Sequence, residues 1–352
     1  WQVIPSLRVR GTTAKAVRAP NIGELFNPQS ENFATINDPC NYAGTNSNRP
    51  GTAADQALRQ ANCSALGVPV GWQDSYSANR PGVSGGNPNL RPESAETVSF
   101  GAVWQPEFVK GLGVSVDYWR ITLDDAIGAV TGQTNATRCA DSPGGVTNNV
   151  FCSQILRAGP GGYTDASGRF FPEHSIYSWR ALNENLAKSR RVGVDFEVDY
   201  RFEFMGGNMV TRMVGTRLLQ SREWEFQDFP NEYKEWVTAV SDPRLRGNLE
   251  AAYQRGDWDV SWTARYMHHN LRVEPASYQS NPGQTSPIRN GSYTYHNAQV
   301  GYTFPDSGIK VYIGADNLFD KDPPANYFGA EASHAFYDSV GRFVYLGATY
   351  KF

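Results

Sequence analysis

Gly341-Arg342-Phe343-Val344-Tyr345-Leu346-Gly347-Ala348-Thr349-Tyr350-Lys351-Phe352 alternates with period two. In an extended chain successive side chains point to opposite faces. Val344, Leu346, Ala348, Tyr350 and Phe352 therefore share one face, and Phe343, Tyr345, Gly347, Thr349 and Lys351 the other. A bare amphipathic strand ending on an aromatic is a hazard in a water-soluble protein, because its unpaired edge invites aggregation. A barrel removes that edge by pairing its last strand with its first. The stretch thus predicts an all-β, antiparallel transmembrane barrel.

Upstream, residues 191–204 repeat the pattern more cleanly. Val192, Val194, Phe196, Val198, Tyr200, Phe202 and Phe204 alternate with Arg191, Gly193, Asp195, Glu197, Asp199, Arg201 and Glu203. A run of this length exceeds the ~5–6 residues of an ordinary globular strand and suits a tilted membrane strand of ~9–11 residues that projects beyond the bilayer. Such a charged face does not fit a sandwich core but fits a wet lumen, so the apolar set is expected toward lipid and Asp195, Glu197 and Asp199 toward the lumen. Similar alternation marks strands at 7–17, 97–104, 112–118, 245–253, 258–266, 294–304 and 309–315, and a less regular one at 209–221 after a turn at Gly206-Gly207, giving ten in all with the last. After Tyr118 the apolar phase slips to Trp119, Ile121 and Leu123, which reads as a bulge or as the strand leaving the membrane.

The connections alternate long and short, about 75, 5, 60, 3, 20, 2, 20, 4 and 24 residues, the rhythm of outer-membrane barrels with short periplasmic turns and long extracellular loops. The chain is read as one barrel portion over 1–352, with outer loops at about 20–94, 127–188, 224–242, 272–291 and 317–339. The first is far longer than the ~12–15 residues usual for structureless loops, which marks it as functional. Within it residues 53–66 have helix-forming composition.

Composition agrees. No window nears the roughly 18 consecutive apolar residues of a spanning helix, and the mean hydropathy of −0.51 is compatible with a barrel that turns only alternate residues to lipid. The net charge of −3 gives no electrostatic reason to expect nucleic acid. The chain opens on Trp1 rather than Met, so a C-terminal piece of a longer protein is expected. Cys40, Cys63, Cys139 and Cys152 form two sequence-local pairs in polar stretches, without Cys-x-x-Cys units or His at zinc spacing. Disulfides 40–63 and 139–152 are the economical reading in an oxidising compartment, with buried free thiols as the alternative.

Four stretches carry a family resemblance: Arg18-Ala19-Pro20 with Glu24-Leu25-Phe26, Asn87-Pro88-Asn89-Leu90-Arg91-Pro92-Glu93, Asp316-Asn317-Leu318-Phe319-Asp320, and Tyr350-Lys351-Phe352. Together they resemble the C-terminal part of the barrel of TonB-dependent outer-membrane receptors. The resemblance implies about ten strands of a barrel of about 22, with the plug domain not in this chain. It implies a parent protein in the outer membrane of the Gram-negative cell envelope, importing a scarce nutrient such as a siderophore, cobalamin or oligosaccharide. The implied partners are outer-membrane lipid, the TonB complex through the plug, and the extracellular ligand. Expressed alone, the piece is expected neither to close a barrel nor to take up ligand.

No enzyme motif and no cofactor is indicated: His174, His296 and His334 are scattered, with no H-E-x-x-H or G-x-S-x-G nearby. His268 and His269 adjoin, and alternation would point them to opposite faces, against joint metal binding. Ligand contact is expected from loop aromatics and arginines, which can stack on rings and hold carboxylates: Trp72, Tyr76, Tyr163, Trp179, Trp224 and Trp236, with Arg80 and Arg180. Phe170, Phe171, Tyr177, Tyr233 and Arg169 belong to the same wider set, whereas Trp104, Trp258, Trp262, Tyr293 and Tyr302 are expected in interfacial girdles. The competing functions are a passive porin or surface adhesin built on a complete small barrel, and a soluble secreted sugar-binding protein. The charged face of 191–204 argues against the latter.

Overall fold

The computed structural model describes residues 1–42, 52–281, 283, 289–324, 337–338 and 340–350. The expectations on Lys351 and Phe352, on His334 and on parts of the 20–94, 272–291 and 317–339 connections lie outside the described residues. Two compact units are present: Trp1–Val17 with Ser94–Asp124 and Ala187–Phe352, and Arg18–Glu93 with Asp125–Leu186.

The first unit is built on an up-and-down sheet. Its strands lie side by side in chain order: Gln2–Ile4, Leu7–Arg18, Glu93–Trp104, Leu112–Ala129, Ile176–Phe204, Gly207–Trp224, Leu245–Arg255, Trp258–Met267, Tyr293–Phe304, Ile309–Asp316 and Phe343–Tyr350. Each of the ten anticipated strands is there. A short strand not foreseen, Gln2–Ile4, pairs with Leu7–Arg18. The turn expected at Gly206-Gly207 differs by one residue, because Phe204 pairs with Gly207 and the turn is Met205-Gly206. Both turn residues have positive φ, 48° and 76°, the twist that a two-residue hairpin needs and that glycine supplies without strain.

Two boundaries are corrected. Leu112–Ala129 has no slip: its register runs unbroken from Trp104↔Val114 to Ser94↔Asp124. The apolar phase changes because Trp119 shares the face of Asp117 and covers Gly193, where a Cβ would stand 2.5 Å from the indole. Ile176–Phe204 begins fifteen residues ahead of the alternating run, so the connection placed at 127–188 is partly strand. Its early part includes Asn183 and Asn185, whose side chains tie other segments of the second unit, and this polar use hides the strand from a hydrophobic pattern.

Cross-strand register sorts the faces of the first unit. One row reads Phe202, Met209, Tyr253, Val260, Val300, Ile313 and Leu346. The opposite face carries Asp195, Thr216, Arg246, Met267 and Tyr293 in one row, with Glu197, Val214, Asn248, Arg265 and Tyr295 in the next. An open hollow of about 990 Å³ is lined by Arg10, Asp117, Asp195, Glu197, Arg246 and Arg265 among others, and Asp199 lines a neighbouring one of about 460 Å³. The three carboxylates thus share the hollow face, opposite the apolar rows. Part of this charge is paired: Arg10 holds Asp117 through bonds of 2.7 and 2.5 Å and Arg212 donates to Glu197 at 2.8 Å, while the Thr216 hydroxyl donates to Asp195 at 2.8 Å.

Near the short turns the apolar face gathers aromatic rings. Phe202–Phe204 and Phe204–Tyr253 lie 6.4 and 6.3 Å apart, Trp258–Tyr302 and Tyr302–Phe304 each 4.9 Å, and Trp104–Phe108 6.0 Å. Trp262 lies on the same face, stacked on His296 at 5.5 Å. Tyr293, expected in that girdle, is instead on the hollow face beside Tyr295, because it is an odd-numbered residue in a strand whose even positions face outward.

Candidate functional site

The second unit contains most of the residues singled out for ligand contact, and its architecture explains two of the four stretches that carry the family resemblance. After Pro20, Asn21 caps the helix Ile22–Phe26: its side chain accepts from the Glu24 amide at 2.8 Å, and the Glu24 carboxylate accepts from the Asn21 amide at 2.8 Å. The Arg18 guanidinium donates to both Glu24 and Glu93. This holds the Glu24 carboxyl below its usual range, chiefly through the bond from Arg18 and then that from the Asn21 amide. The Glu24 carbonyl accepts from the Asn87 amide and from Asn183, and Asn87 in turn donates to the Asn183 carbonyl. Both stretches are halves of one polar clamp.

Cysteines build the next layer. Cys40–Cys63 and Cys139–Cys152 are disulfides with Cα separations of 5.6 and 4.7 Å, as the local pairing anticipated. The helix Ala53–Ala65, capped by Thr52, packs on Gly132–Ala140. Arg59 donates two bonds of 2.5 Å to Asp141, and Asn62 donates to the carbonyls of Ala140 and Ser142. Cys40, Cys63, Val68 and Ala140 form a buried cluster, with Leu66 and Trp72 against it. Ile36, Ala136, Ile176 and Trp179 form a second.

The predicted contact residues fall into three groups, with Arg180 apart from all of them. Arg80 and Trp179 are interior, 2% and 5% exposed. The Arg80 guanidinium donates to the carbonyls of Ile176, Ile36 and Tyr76 and to Asp74, and the Trp179 indole N–H donates to the Arg80 carbonyl at 3.0 Å. Buried and bonded within the unit, these two serve its framework. Trp224, in the first unit, is buried as well, bonded through its indole to the Pro230 carbonyl. Trp72 is half-buried at the edge of the disulfide cluster, edge-on to His174 at 6.3 Å. Trp236, half-buried in the first unit, donates to Glu223 at 2.9 Å.

Tyr76 and Tyr163 are brought together. Tyr163 lies 4.1 Å from Tyr177, Tyr76 lies 4.6 Å from Phe171, and Phe171 lies 6.3 Å from Tyr177. The three tyrosines surround a fully buried Phe171, while Tyr163 is 41% exposed. The small hairpin Tyr163–Thr164 with Phe170–Phe171 is fixed by Asp165, which accepts from the amide and hydroxyl of Ser167 and from the amide and guanidinium of Arg169. These bonds, led by that of Ser167, hold the Asp165 carboxyl down at about 2. Arg180 is exposed on Ile176–Phe204.

Within the first unit His268 and His269 lie beyond Met267, where alternation no longer separates them, and their rings are 4.1 Å apart. Burial first, then the neighbouring His268, lowers the His269 pKa, and the Tyr266 hydroxyl bonds His268 Nδ1 at 2.9 Å. Among the described residues no group of three His, Cys, Asp or Glu is placed to hold a metal ion.

Comparison with known proteins agrees with this architecture. The family described as TonB dependent receptor-like, beta-barrel, matches residues 1–318. No curated protein sequence matches. Among solved structures, the siderophore receptor PirA from Acinetobacter baumannii is similar over 100% of this chain and 40% of its own, with 18% identity and a TM-score of 0.58. A ferric enterobactin receptor, PfeA, from Pseudomonas aeruginosa is similar over 98% and 38%, with 15% identity and a TM-score of 0.55. At such identities the likeness is one of fold, and the chain spans about 40% of the length of the receptor it is compared with. The stapled loop unit, the two-faced meander and the family match together place this chain in the TonB-dependent receptor family, as part of its β-barrel.

Proposed function

We propose that this chain forms part of the wall and ligand-collecting loops of an outer-membrane receptor that imports a scarce extracellular nutrient by TonB-energised transport. The observation that carries the reading is the division of the sheet into apolar rows on one face and a charged, polar hollow on the other. Apolar rows ending in aromatic rings suit lipid with a headgroup boundary, and a polar hollow suits a lumen that holds protein and water. The long connections then lie outside the cell and the short turns in the periplasm. The solved structures with this fold include siderophore receptors and an iron transporter from Neisseria meningitidis, which supports nutrient uptake as the task. Energy would come from TonB acting through the plug domain that the family carries.

The test uses the full-length receptor in its host. Deleting the receptor gene and deleting the gene for TonB should abolish uptake of the same nutrient, and the labelled receptor should fractionate with the outer membrane. Uptake that persists without TonB would instead make the protein a passive porin.

A further inference from the structure

The ring patch of the second unit combines an exposed tyrosine face with little available positive charge. Among the described residues the hydroxyls of Tyr76, Tyr163 and Tyr177 form no hydrogen bond, so three phenols keep donor and acceptor capacity unused; Tyr163 is exposed and the other two are half-buried. Three arginines of the same segments are spoken for. Arg80 is buried on Asp74, Arg169 pairs with Asp165 at 2.8 Å and lies 3.9 Å from Glu31, and Arg157 holds Asp38 through bonds of 2.5 and 2.7 Å. Residues 18–93 and 125–186 contain nine arginines, no lysine and eleven carboxylates, a net charge of −2. Arg180 stands without a carboxylate partner among the described residues, but one cation does not offset that balance.

An anionic metal chelate gains its affinity from unmatched arginines and lysines, and here Arg80, Arg157 and Arg169 are already paired with carboxylates, leaving Arg180 alone to attract it. An uncharged sugar asks for what the patch offers. The C–H face of a pyranose stacks on a flat ring, and its hydroxyls exchange hydrogen bonds with phenols. Resting on the receptor reading above, we propose that Tyr76, Tyr163 and Tyr177 form a subsite for a neutral oligosaccharide, with a sugar ring stacked on the exposed face of Tyr163.

The test is calorimetric titration of the purified full-length receptor in detergent with a panel of neutral linear and branched oligosaccharides and, separately, with ferric tris-catecholate. A neutral oligosaccharide should bind, with a Kd that changes less than about twofold between about 0.05 and 0.5 M sodium chloride. Tyr163→Ala with Tyr177→Ala should weaken it about tenfold, whereas Tyr163→Phe, which keeps the ring, should keep most of the affinity. Intact disulfides and unchanged circular dichroism establish that the double variant is folded. Binding of the ferric chelate alone, weakening with salt, overturns the sugar assignment and leaves the receptor reading standing. So does an absence of sugar binding in a receptor whose uptake of another nutrient depends on TonB. Sugar binding unaffected by the double substitution overturns the subsite.

Discussion

Arg18 grips Glu93, seventy-five residues further along, through two bonds of 2.6 and 2.7 Å, while the same guanidinium donates to Glu24 at 3.0 Å. Lysine cannot replace such a fork, because an ammonium is a point donor without planar paired N–H groups. Arg18→Lys is expected to loosen the 22–27 and 86–93 segments together, read as faster amide exchange in both and unchanged exchange in the 258–304 hairpin. The clamp should also weaken in acid. The Glu24 carboxyl is depressed in the folded state, so its contribution is present above the ordinary glutamate value and is lost as pH falls through the lowered one. Exchange in the 22–27 segment should therefore quicken only below the normal carboxylate range, and in Arg18→Lys the onset should move to higher pH.

The Cys40–Cys63 bridge closes a loop with a sequence separation of 23, for which the chain-entropy account gives about 3 kcal/mol. Cys40→Ser with Cys63→Ser should leave the sheet folded and expose the 53–65 helix to protease. The Arg59–Asp141 pair and the Asn62 bonds should slow that cleavage, so adding Asp141→Asn should accelerate it further. Equal protease resistance of the wild-type and doubly substituted chains would show that the staple contributes nothing measurable.

Much of the sheet was legible because a surface wet on one side and apolar on the other writes its period directly into the residues, as in 191–204. The early part of Ile176–Phe204 was not legible, since Asn183 and Asn185 serve neighbouring segments rather than a face. Trp119 misled for a related reason, an apolar residue on the hollow face covering a glycine. The loop aromatics were legible by type but not by exposure. Trp179 and Tyr163 are both aromatic residues in long connections, and only the fold buries the first at 5% while leaving the second 41% exposed. The arginines were least readable. Arg169 and Arg80 pair with Asp165 and Asp74 only a few residues away, but Arg157 pairs with Asp38 across 119 residues, a partnership with no local signature.

Trp119 and Gly193 supply a packing test inside the sheet. A Cβ on residue 193 would meet the indole at 2.5 Å, and with strand backbone on both sides relaxation is limited. Gly193→Ala is expected to destabilise the full-length barrel by roughly 1–3 kcal/mol, the range for overpacking. Adding Trp119→Leu should recover most of that loss, because the clash is with the indole ring. A double-mutant cycle by urea-induced unfolding in vesicles measures the coupling. Additive effects would mean that the two residues are not in contact.

Leu249 and Asn248 test which face meets lipid. They are adjacent in Leu245–Arg255, so the pleat sends them to opposite sides. Leu249 sits in the row with Met213 and Ala264, well away from the Gly256-Asp257 turn, and is 38% exposed. Asn248 lines the hollow with Arg265 and Glu197. An arginine toward hydrocarbon loses its hydration without gaining a partner, at about 2–4 kcal/mol near the bilayer midplane. At 248 the same guanidinium would enter a polar space within reach of carboxylates. Leu249→Arg should therefore lower stability by about that amount in vesicle-embedded full-length receptor, and Asn248→Arg should change it little, both read from urea midpoints at constant slope. Equal losses at the two positions, or the larger loss at 248, would reverse the facing of the sheet and with it the proposal that the charged hollow is the lumen.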